Sequence, residues 1–596
     1  MNRGRWIGYL VAPITIGGAL GALVGFLFRT FNDAGHGNDS EAPLVGGCIG
    51  ATAGVLLPVV YSLLLKQPER TAGNAASRRT LYFLLIATAI SVNTGRVFLV
   101  RSRDTYTPML SANDRSRWCT IRALVDHGTY AIDAFVNERH PQKTNRRPWH
   151  TIDMVQHRGE DGRQHLYSSK PPLLPTLLAG PYWCLQTLTR ATVAQHPFLV
   201  IRSLLIVFFV APLILYFLLL AVMIEHYGTT HWGRVLVMAC ATWGTFLTTF
   251  SVTLNNHLPA AISVLIALVV ILPVWRSNAC PTWRFAVAGL FAAFAAANEL
   301  PALSFLALFG AGLFLRARWQ TCCAFLPAAS LVAAGFFGTN YLAHGTWRPP
   351  YAHRGDGPVL TTLTEAFGND PWGADLLPTA RHRLAAVGRK ISDGAQLLST
   401  RQPRRRELYD PQSEQRFALV ATAGGDIQIR EWDHWYDYPD SYWQSSKRSL
   451  IDRGEPSHVI YALHVLIGHH GLISLTPIWL LACYGAWLWS GREQTTARRW
   501  FAALTITLTL VCLAFYVGRP LQDRNYGGVA CGFRWMFWFT PLWLICLLPA
   551  ADVMSRAAWR RWMTYLLLLV SIGSAGYGFF NPWQHPWLYA LFWNGG

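Results

Sequence analysis

The chain has 596 residues, of which 52% are hydrophobic and 14% charged, and its mean hydropathy is +0.23. A soluble protein of this size carries about 25% charged residues, so the composition excludes an ordinary water-soluble enzyme. The formal net charge is +19, but no basic, water-soluble segment stands apart from the apolar ones, so we expect no nucleic-acid partner. The 11 cysteines form no CxxC pair and no Cys/His zinc spacing, which argues against a disulfide framework.

Thirteen segments are apolar and long enough to cross a bilayer as helices, for which about 20 residues are needed. The first, Trp6–Phe28, is too long for the apolar core of a signal peptide. The short pair 283–299 and 301–316 is split by Pro301 and could be a hairpin or one broken helix. The predicted spans are 6–28, 43–65, 80–100, 200–224, 232–252, 256–275, 283–299, 301–316, 320–341, 471–490, 499–517, 533–550 and 561–580.

The short loops indicate the orientation of these spans. Lys and Arg concentrate on alternate connections, for example at Arg78 and Arg79, Arg234, and Arg556, and such loops face the cytoplasm. Arg29 is the clear exception. The long polar stretches 101–199 and 342–470 then lie on the other side. We therefore expect an integral protein of a bacterial plasma (inner) membrane, with an extracytoplasmic active site.

The predicted fold class is an all-α polytopic membrane protein of about 13 transmembrane helices with two long extracytoplasmic loops. We divide it into an N-terminal hairpin (1–79), a membrane module (80–341, including loop 101–199), a loop region (342–470) and C-terminal transmembrane helices (471–596). Segment 172–189 is apolar but interrupted by prolines and Gly180, which favours a helix lying at the membrane interface.

The first long loop contains three short motifs that could carry chemistry. They are Asp114-Arg115-Ser116-Arg117-Trp118, His127-Gly128-Thr129-Tyr130 and Tyr167-Ser168-Ser169-Lys170-Pro171-Pro172-Leu173. A carboxylate can take a proton from a hydroxyl, and Arg or Lys at the headgroup level can hold a phosphate. The combination suits a reaction on a phosphorylated lipid. A solvated loop with ordinary ion pairs is the alternative.

These motifs, in this order after a membrane span, resemble the first extracytoplasmic loop of the GT-C glycosyltransferases. The branch most similar holds the protein O-mannosyltransferases and aminoarabinose transferases, which show Asp-Glu-x-Arg-Tyr, a Gly-Asp-Tyr-like turn and Tyr-x-x-Lys-Pro-Pro-Leu. Here Arg115 stands in place of the Glu. The resemblance is clearest over about 80–350. It returns weakly at Asp523-Arg524-Asn525-Tyr526-Gly527-Gly528 and at Gly532-Phe533-Arg534-Trp535, where family members often have Gly-x-Arg-Tyr.

The resemblance implies a polyprenyl-phosphate sugar as donor and an acceptor hydroxyl that displaces the lipid phosphate with inversion. It makes Asp114 the base. Lys170, Arg117 and Arg534 become candidates to stabilise the leaving phosphate, and Tyr167 and Tyr526 to line the pocket. No cofactor and no metal are expected; the partners are the lipid-linked sugar, membrane lipids and an acceptor of unknown class.

Three further residues lie at predicted outer ends of spans. Some relatives carry a second acidic residue in the next outer loop, but here Leu254-Asn255-Asn256-His257-Leu258-Pro259 has none. Asn256 and His257 could bind a sugar or phosphate, or Asn could simply cap a helix. Glu299 is the best second carboxylate, because a charge near a membrane is costly unless it is used or paired. A structural ion pair is the alternative for Glu299.

The second long loop contains Glu431-Trp432-Asp433-His434-Trp435-Tyr436-Asp437-Tyr438. Alternating rings and acids suit carbohydrate, although interfacial anchoring by the aromatics is favoured. His464, His469 and His470 precede a span, but no carboxylate or cysteine completes a metal site.

Two other function classes compete with the transferase. A lipid or solute transporter or flippase would place charges or broken helices near the bilayer midplane, whereas Arg96, Arg202, Glu299 and Arg534 lie toward outer ends. An acyl- or phosphotransferase would need a catalytic His or Ser at the outer boundary, for which His257 is a weak candidate.

Overall fold

The computed structural model describes residues 72–593 apart from 104–105, 141–144, 277–279, 365–371, 374, 401 and 445. The predicted spans 6–28 and 43–65 therefore lie outside the described residues. The chain forms two compact units. Among the described residues, the helical unit consists of 72–114, 180–335 and 449–593, and the sheet unit of 115–179 and 336–448.

Long apolar helices dominate the chain. The described part contains seven helices long and apolar enough to cross a membrane, and a shorter apolar helix, Leu300–Arg316. Helices or helical segments also cover the predicted spans 283–299, 471–490 and 561–580, at Thr282–Asn298, Trp479–Ser490 and Ala558–Tyr577. The count of thirteen spans is not confirmed. The seven are Ala75–Leu99, Pro197–Tyr227, His231–Val252, His257–Trp275, Arg318–His344, Thr496–Val517 and Arg534–Met554.

These helices make the chain an integral membrane protein. In Arg318–His344 only 28% of the most apolar window is buried within the protein. Leu326, Leu331 and Phe337 on this helix are exposed. Such an apolar outer surface is stable when it faces lipid rather than water.

Contacts at the helix ends within the helical unit agree with the predicted alternation of the spans. At ends assigned to one side, Arg78 pairs with Glu225 at 2.6 Å, and Asp552 accepts from the amide of Thr230 at 2.8 Å. At ends assigned to the other side, Arg96 donates to the carbonyls of Thr248 and Phe579 at 3.1 and 2.6 Å. In these contacts, helix ends assigned to the same side lie together.

The remaining helices are shorter and include the interfacial candidate, which is helical at Leu173–Thr189 despite an internal Pro181. They are Ala112–His127, Asp133–Val136, Leu173–Thr189, Leu376–Ala386, His458–Leu466, Leu472–Leu475 and Trp587–Trp593.

The all-α prediction is wrong in one respect, because both predicted loops contain antiparallel sheet. The first holds the hairpin β1 (Met154–Arg158) and β2 (Gln164–Ser168). The second holds β3 (Arg354–Leu363), β4 (Gln396–Ser399), β5 (Arg405–Asp410), β6 (Gln415–Ala421) and β7 (Ile427–His434), in the order β3-β7-β6-β5-β4.

The five-stranded sheet has its own apolar core. Leu408, Leu419 and Ile429 are fully buried against Leu376 and Leu384 of the helix Leu376–Ala386. Only one face of this sheet packs on that core, so polar and charged residues alternate with apolar ones in β7, Ile-Gln-Ile-Arg-Glu-Trp-Asp-His, and in part of β5. That alternation gave the segment the composition of a polar loop.

Candidate active site

Asp114 lies in the first turn of the helix Ala112–His127 and is 1% exposed. Its two carboxylate oxygens accept hydrogen bonds from backbone amides, Oδ2 from Leu110 at 3.1 Å and Oδ1 from Leu254 at 3.2 Å. These two hydrogen bonds, one to each oxygen, hold the carboxylate in a defined orientation. They also fix Asp114 against the segment that precedes His257.

The two asparagines that follow Leu254 have different roles in the structure, although the sequence left helix capping and ligand binding open. Asn255 is the helix cap, because its side-chain oxygen accepts from the amide of Leu258 at 3.0 Å. The neighbouring Asn256 makes different contacts: its amide donates to Glu299 Oε1 at 2.7 Å and to the carbonyl of Asn298 at 3.0 Å.

Glu299 and His257 form a buried pair. The side chains are 5% and 1% exposed, and His257 Nδ1 is hydrogen-bonded to Glu299 Oε1. The other ring nitrogen, Nε2, faces a guanidinium nitrogen of Arg534 at 3.4 Å. Because arginine can only donate, Nε2 is the acceptor in this contact and the proton of a neutral His257 belongs on Nδ1. Glu299 therefore holds the imidazole in one tautomer.

Arg534 connects this pair to the glycine-rich loop. Its Nε donates to the carbonyl of Gly527 at 2.5 Å, and its guanidinium lies 4.7 Å from the ring centre of Trp583. Gly527 and Gly528 have φ of 90° and 76°, a conformation that glycine adopts without the steric cost of a Cβ. The two glycines thus let the loop turn its carbonyl toward Arg534.

Tyr526, the neighbour of Gly527, packs away from this pair. Its ring stacks on His470 with centroids 4.9 Å apart and lies 4.9 Å from His469. Burial raises the pKa of the Tyr526 hydroxyl. Among the described residues, no group of three or more His, Cys, Asp or Glu is arranged to hold a metal ion, and the histidines near Tyr526 pack ring against ring.

The helical unit therefore brings together Asp114, Asn256, His257, Glu299 and Arg534. We call Asn256, His257, Glu299 and Arg534 the polar network; Asp114 is hydrogen-bonded to the segment that leads into it. The five residues come from four separate parts of the sequence, and each lies at a helix end that the topology assigns to the same side.

The sheet unit contains the other three predicted site residues. Lys170 pairs with Asp153, Nζ to Oδ1, at 3.1 Å, and the two side chains are 21% and 11% exposed. Tyr167 lies on β2 and stacks on His157 with ring centroids 4.1 Å apart; burial raises the pKa of its hydroxyl to about 12. Arg117 is 4% exposed on the helix Ala112–His127.

Sequence reasoning missed Asp153, and the structure gives the local geometry of the motif around Gly128. Asp153 has no motif around it, but its backbone carbonyl also accepts from Ser116 Oγ at 2.6 Å. Gly128 has a φ of 66°, and the amide of Thr129 donates to the carbonyl of Ala123 at 3.3 Å. Gly128 therefore ends the helix Ala112–His127, and the motif that resembles the family's turn forms a turn at this helix C-terminus.

Comparison with known proteins gives little beyond this geometry. No family model matches the chain, and no curated protein matches it significantly. One solved structure to which it is similar is the oligosaccharyltransferase of Archaeoglobus fulgidus in its apo form, with 12% identity and a TM-score of 0.41. The alignment covers 84% of this chain and 56% of that protein, so the chain spans little more than half of its length.

Proposed function

We propose that this chain is a membrane glycosyltransferase that moves a sugar from a polyprenyl phosphate to an acceptor hydroxyl, with inversion at the anomeric carbon. The observation that carries the proposal is the convergence of Asp114 and the polar network at one end of the helical unit. The motif resemblance selected Asp114 and Arg534, and the search for the second acidic residue that some relatives carry selected Asn256, His257 and Glu299.

In the proposed reaction the acceptor oxygen attacks the anomeric carbon, the bond from that carbon to the phosphate oxygen breaks, and the lipid phosphate leaves. The acceptor proton goes to a carboxylate, for which Asp114 is the candidate base. Its two backbone hydrogen bonds hold the carboxylate in one orientation, as a base aligned with a fixed hydroxyl requires.

The leaving phosphate gains negative charge as the bond breaks, and fixed donors stabilise that charge. Arg534 supplies a guanidinium whose position is set by Gly527 and Trp583. Asn256 and His257 are proposed to bind the sugar or its phosphate, with Glu299 orienting both. Lys170, Arg117, Tyr167 and Tyr526 keep the donor-binding roles that the resemblance implies.

The charge distribution along the helices favours a transferase over a transporter. In the seven candidate spans every Asp, Glu, Lys and Arg lies within six residues of a helix end; Arg202, the sixth residue of Pro197–Tyr227, is the deepest. An ion-coupled transporter places such groups near the midplane. A flippase would move the lipid-linked sugar across the bilayer without cleaving the sugar–phosphate bond.

The decisive experiment incubates the purified protein in lipid vesicles with undecaprenyl-phosphate mannose, arabinose or aminoarabinose as donor and a mixture of hydroxyl-bearing peptides, lipids and saccharides as acceptor, and follows cleavage of the sugar–phosphate bond. We expect cleavage by the wild type and a loss of at least a hundredfold in Asp114→Asn. Glu493→Gln, an exposed carboxylate between two helices, is the matched control and should retain full activity. Intact donor redistributed between leaflets would support the flippase instead.

Lys170→Gln tests the donor-binding role separately. We expect a raised KM for the lipid-linked sugar, because a phosphate-binding cation is lost, and little effect from Lys390→Gln, whose lysine is exposed in the same unit. An unchanged KM for the donor would remove Lys170 from the site.

A further inference from the structure

The sheet unit contains a cavity. Its lining includes none of the residues discussed for the reaction. The cavity has a volume of about 430 Å³ and lies among the hairpin β1–β2, strands β6 and β7, and the chain around His344. That volume lies within the range of roughly 300–1,000 Å³ typical of small-molecule sites. All of its lining residues belong to the sheet unit.

The lining offers hydrogen-bond donors and acceptors of every kind. It includes guanidinium groups, carboxylates, carboxamides and imidazoles. An apolar ligand would leave these groups without partners, which is costly. An anion can only accept, and would face the two carboxylates. The polar residues of the lining include Gln156, Arg158, Arg389, Arg416, Glu431 and Asp433.

The two carboxylates are already balanced. Glu431 lies 3.3 Å from Arg389, and Asp433 pairs with His353 and, at 3.0 Å, with Arg348. Of the other guanidinium groups, that of Arg416 pairs with Glu407 at 2.6 Å, and that of Arg158 donates to the carbonyl of Gly162 at 2.5 Å. The lining therefore presents dipoles and mostly paired charges to a ligand. Hydroxyl groups, which donate and accept in one atom, match this pattern best.

A chain of imidazoles in the cavity wall leaves one ring nitrogen without a partner among the described residues. His157 Nδ1 lies 3.0 Å from the carbonyl of Arg158 and donates to it, because a carbonyl can only accept. In the neutral ring, His157 Nε2 then accepts from His344 Nδ1 at 3.0 Å. His344 Nε2 is left as an acceptor, and this buried atom has no partner among the described residues. Burial lowers the pKa of His157 to about 4, so the ring is neutral at pH 7.

The aromatic rings beside the cavity hold its walls in place. Trp435 stacks on His353 at 3.6 Å and lies 4.1 Å from the ring of His157. Trp432 packs against the guanidinium groups of Arg405 and Arg416 at 4.6 and 4.0 Å. Because these faces are occupied, recognition in the cavity depends on hydrogen bonds presented by a rigid wall, which suits a ligand rich in hydroxyls.

We propose that this cavity binds a short saccharide. The second part of the proposal, which rests on the proposed function, is that this saccharide is the acceptor of the transferred sugar. The first part concerns binding alone and does not depend on catalysis. The polar cavity wall and the unpartnered Nε2 of His344 carry it.

The test measures binding of neutral trisaccharides of mannose, glucose, galactose and N-acetylglucosamine to the full chain in nanodiscs, by saturation-transfer NMR. We expect at least one to bind, with affinity at least tenfold weaker in His344→Phe and in Gln156→Ala. The matched controls are His382→Phe and Gln412→Ala, at exposed positions of the sheet unit away from the cavity; both should bind like the wild type.

The outcomes separate the two proposals. Binding of no trisaccharide, equal binding by His344→Phe, Gln156→Ala and the controls, or binding of inorganic phosphate in competition with the sugar would overturn the saccharide site. Asp114→Asn should bind the trisaccharide normally while transferring nothing. If saccharides bind as expected but no donor is cleaved, the proposed function fails and the cavity stands. If donor is cleaved and His344→Phe leaves KM for the acceptor unchanged, the acceptor role fails.

Discussion

At the scale of single residues, Glu299 has the most demanding position in the helical unit. One carboxylate oxygen accepts from both Asn256 and His257, and the side chain is 5% exposed. Burial removes water from a carboxylate, and this cost is offset only if hydrogen-bond donors replace the water. A buried carboxylate that loses its donors is therefore destabilising. The residue is therefore at once a candidate for orientation of the site and a point on which local stability depends.

We expect Glu299→Gln to lower stability by about 2–4 kcal/mol, since hydrogen bonds to a charged group contribute roughly 1.5–3 kcal/mol each and a glutamine amide can turn a donor toward His257. Thermal unfolding in detergent measures this effect, with Glu493→Gln as the control. Transfer activity at a temperature where both variants are folded measures the orienting role. Equal unfolding temperatures for the two variants would show that the pair contributes no stability.

His157 makes the stability of the sheet unit depend on pH. Burial lowers its pKa from the usual 6.5 to about 4, so below pH 6.5 the unfolded chain binds a proton that the folded protein binds only near pH 4. The contribution of His157 to the free energy of unfolding is therefore fully present above about pH 6.5 and is lost as the pH drops toward 4. At pH 5 the free energy of unfolding should be lower by about 2 kcal/mol than at neutral pH.

The measurement compares unfolding temperatures at pH 7.5 and pH 5 for the wild type and His157→Phe, which keeps a ring between Tyr167 and Trp435. The fall between the two pH values should be smaller in the variant. His382→Phe, at an exposed position, should show the wild-type fall. An identical fall in all three proteins would assign the acid sensitivity to other groups.

The sequence could identify residues of the polar network but not their connections. Asn256, His257 and Glu299 were selectable because polar groups at span ends are rare in an apolar sequence. That Asn255 rather than Asn256 caps the helix depends on side-chain geometry that neighbouring asparagines do not reveal. Asp153 contacts Lys170, 17 residues further along the chain, and His344 contacts His157, 187 residues earlier. No spacing rule predicts contacts between residues so far apart.

At the scale of elements, the transmembrane helices were predictable because length and apolarity determine them locally. The sheet was not, since β5 (Arg-Arg-Glu-Leu-Tyr-Asp) has a single aliphatic residue and reads as solvated loop. Its pairing with β6 and β4 supplies the stability that its own composition lacks. The helix Leu376–Ala386 covers the apolar face and completes the core.

Close helix packing gives a prediction at this scale. A Cβ added at Gly485, on the helix Trp479–Ser490, would clash with the backbone carbonyl of Cys546 on Thr540–Met554. Gly485→Ala should therefore force the two helices apart and lower the unfolding temperature. Small residues at such crossings are what allow membrane helices to approach.

Gly573→Ala is the matched control, because a Cβ there meets nothing within 4 Å in the helix Ala558–Tyr577. Alanine has the higher helix propensity by about 1 kcal/mol, so this variant should be as stable as the wild type or slightly more. A Gly485→Ala protein that unfolds at the same temperature as Gly573→Ala would show that the helices adjust without cost.

At the scale of the whole molecule, the alternation of helix ends makes a prediction about sidedness. Reporter fusions after Gly345 and after Gly491 should fall on opposite sides of the membrane. By the positive-inside rule, alkaline phosphatase should be active after Gly345 and a fluorescent protein should fold after Gly491, in the cytoplasm. The reverse pattern would invert the orientation, and the same reporter active at both positions would break the alternation.

The division of the sheet unit into 115–179 and 336–448 has a consequence for biosynthesis. Val155 and Tyr167 pack against Trp435 and Tyr436, which the ribosome adds more than 250 residues later. At about 5–20 residues per second, the hairpin waits on the order of 10–50 s for its partners while intervening helices enter the membrane. Its apolar side chains are exposed throughout that interval. Nascent chains halted before residue 435 should therefore be the ones that proteases and chaperones on that side of the membrane recognise.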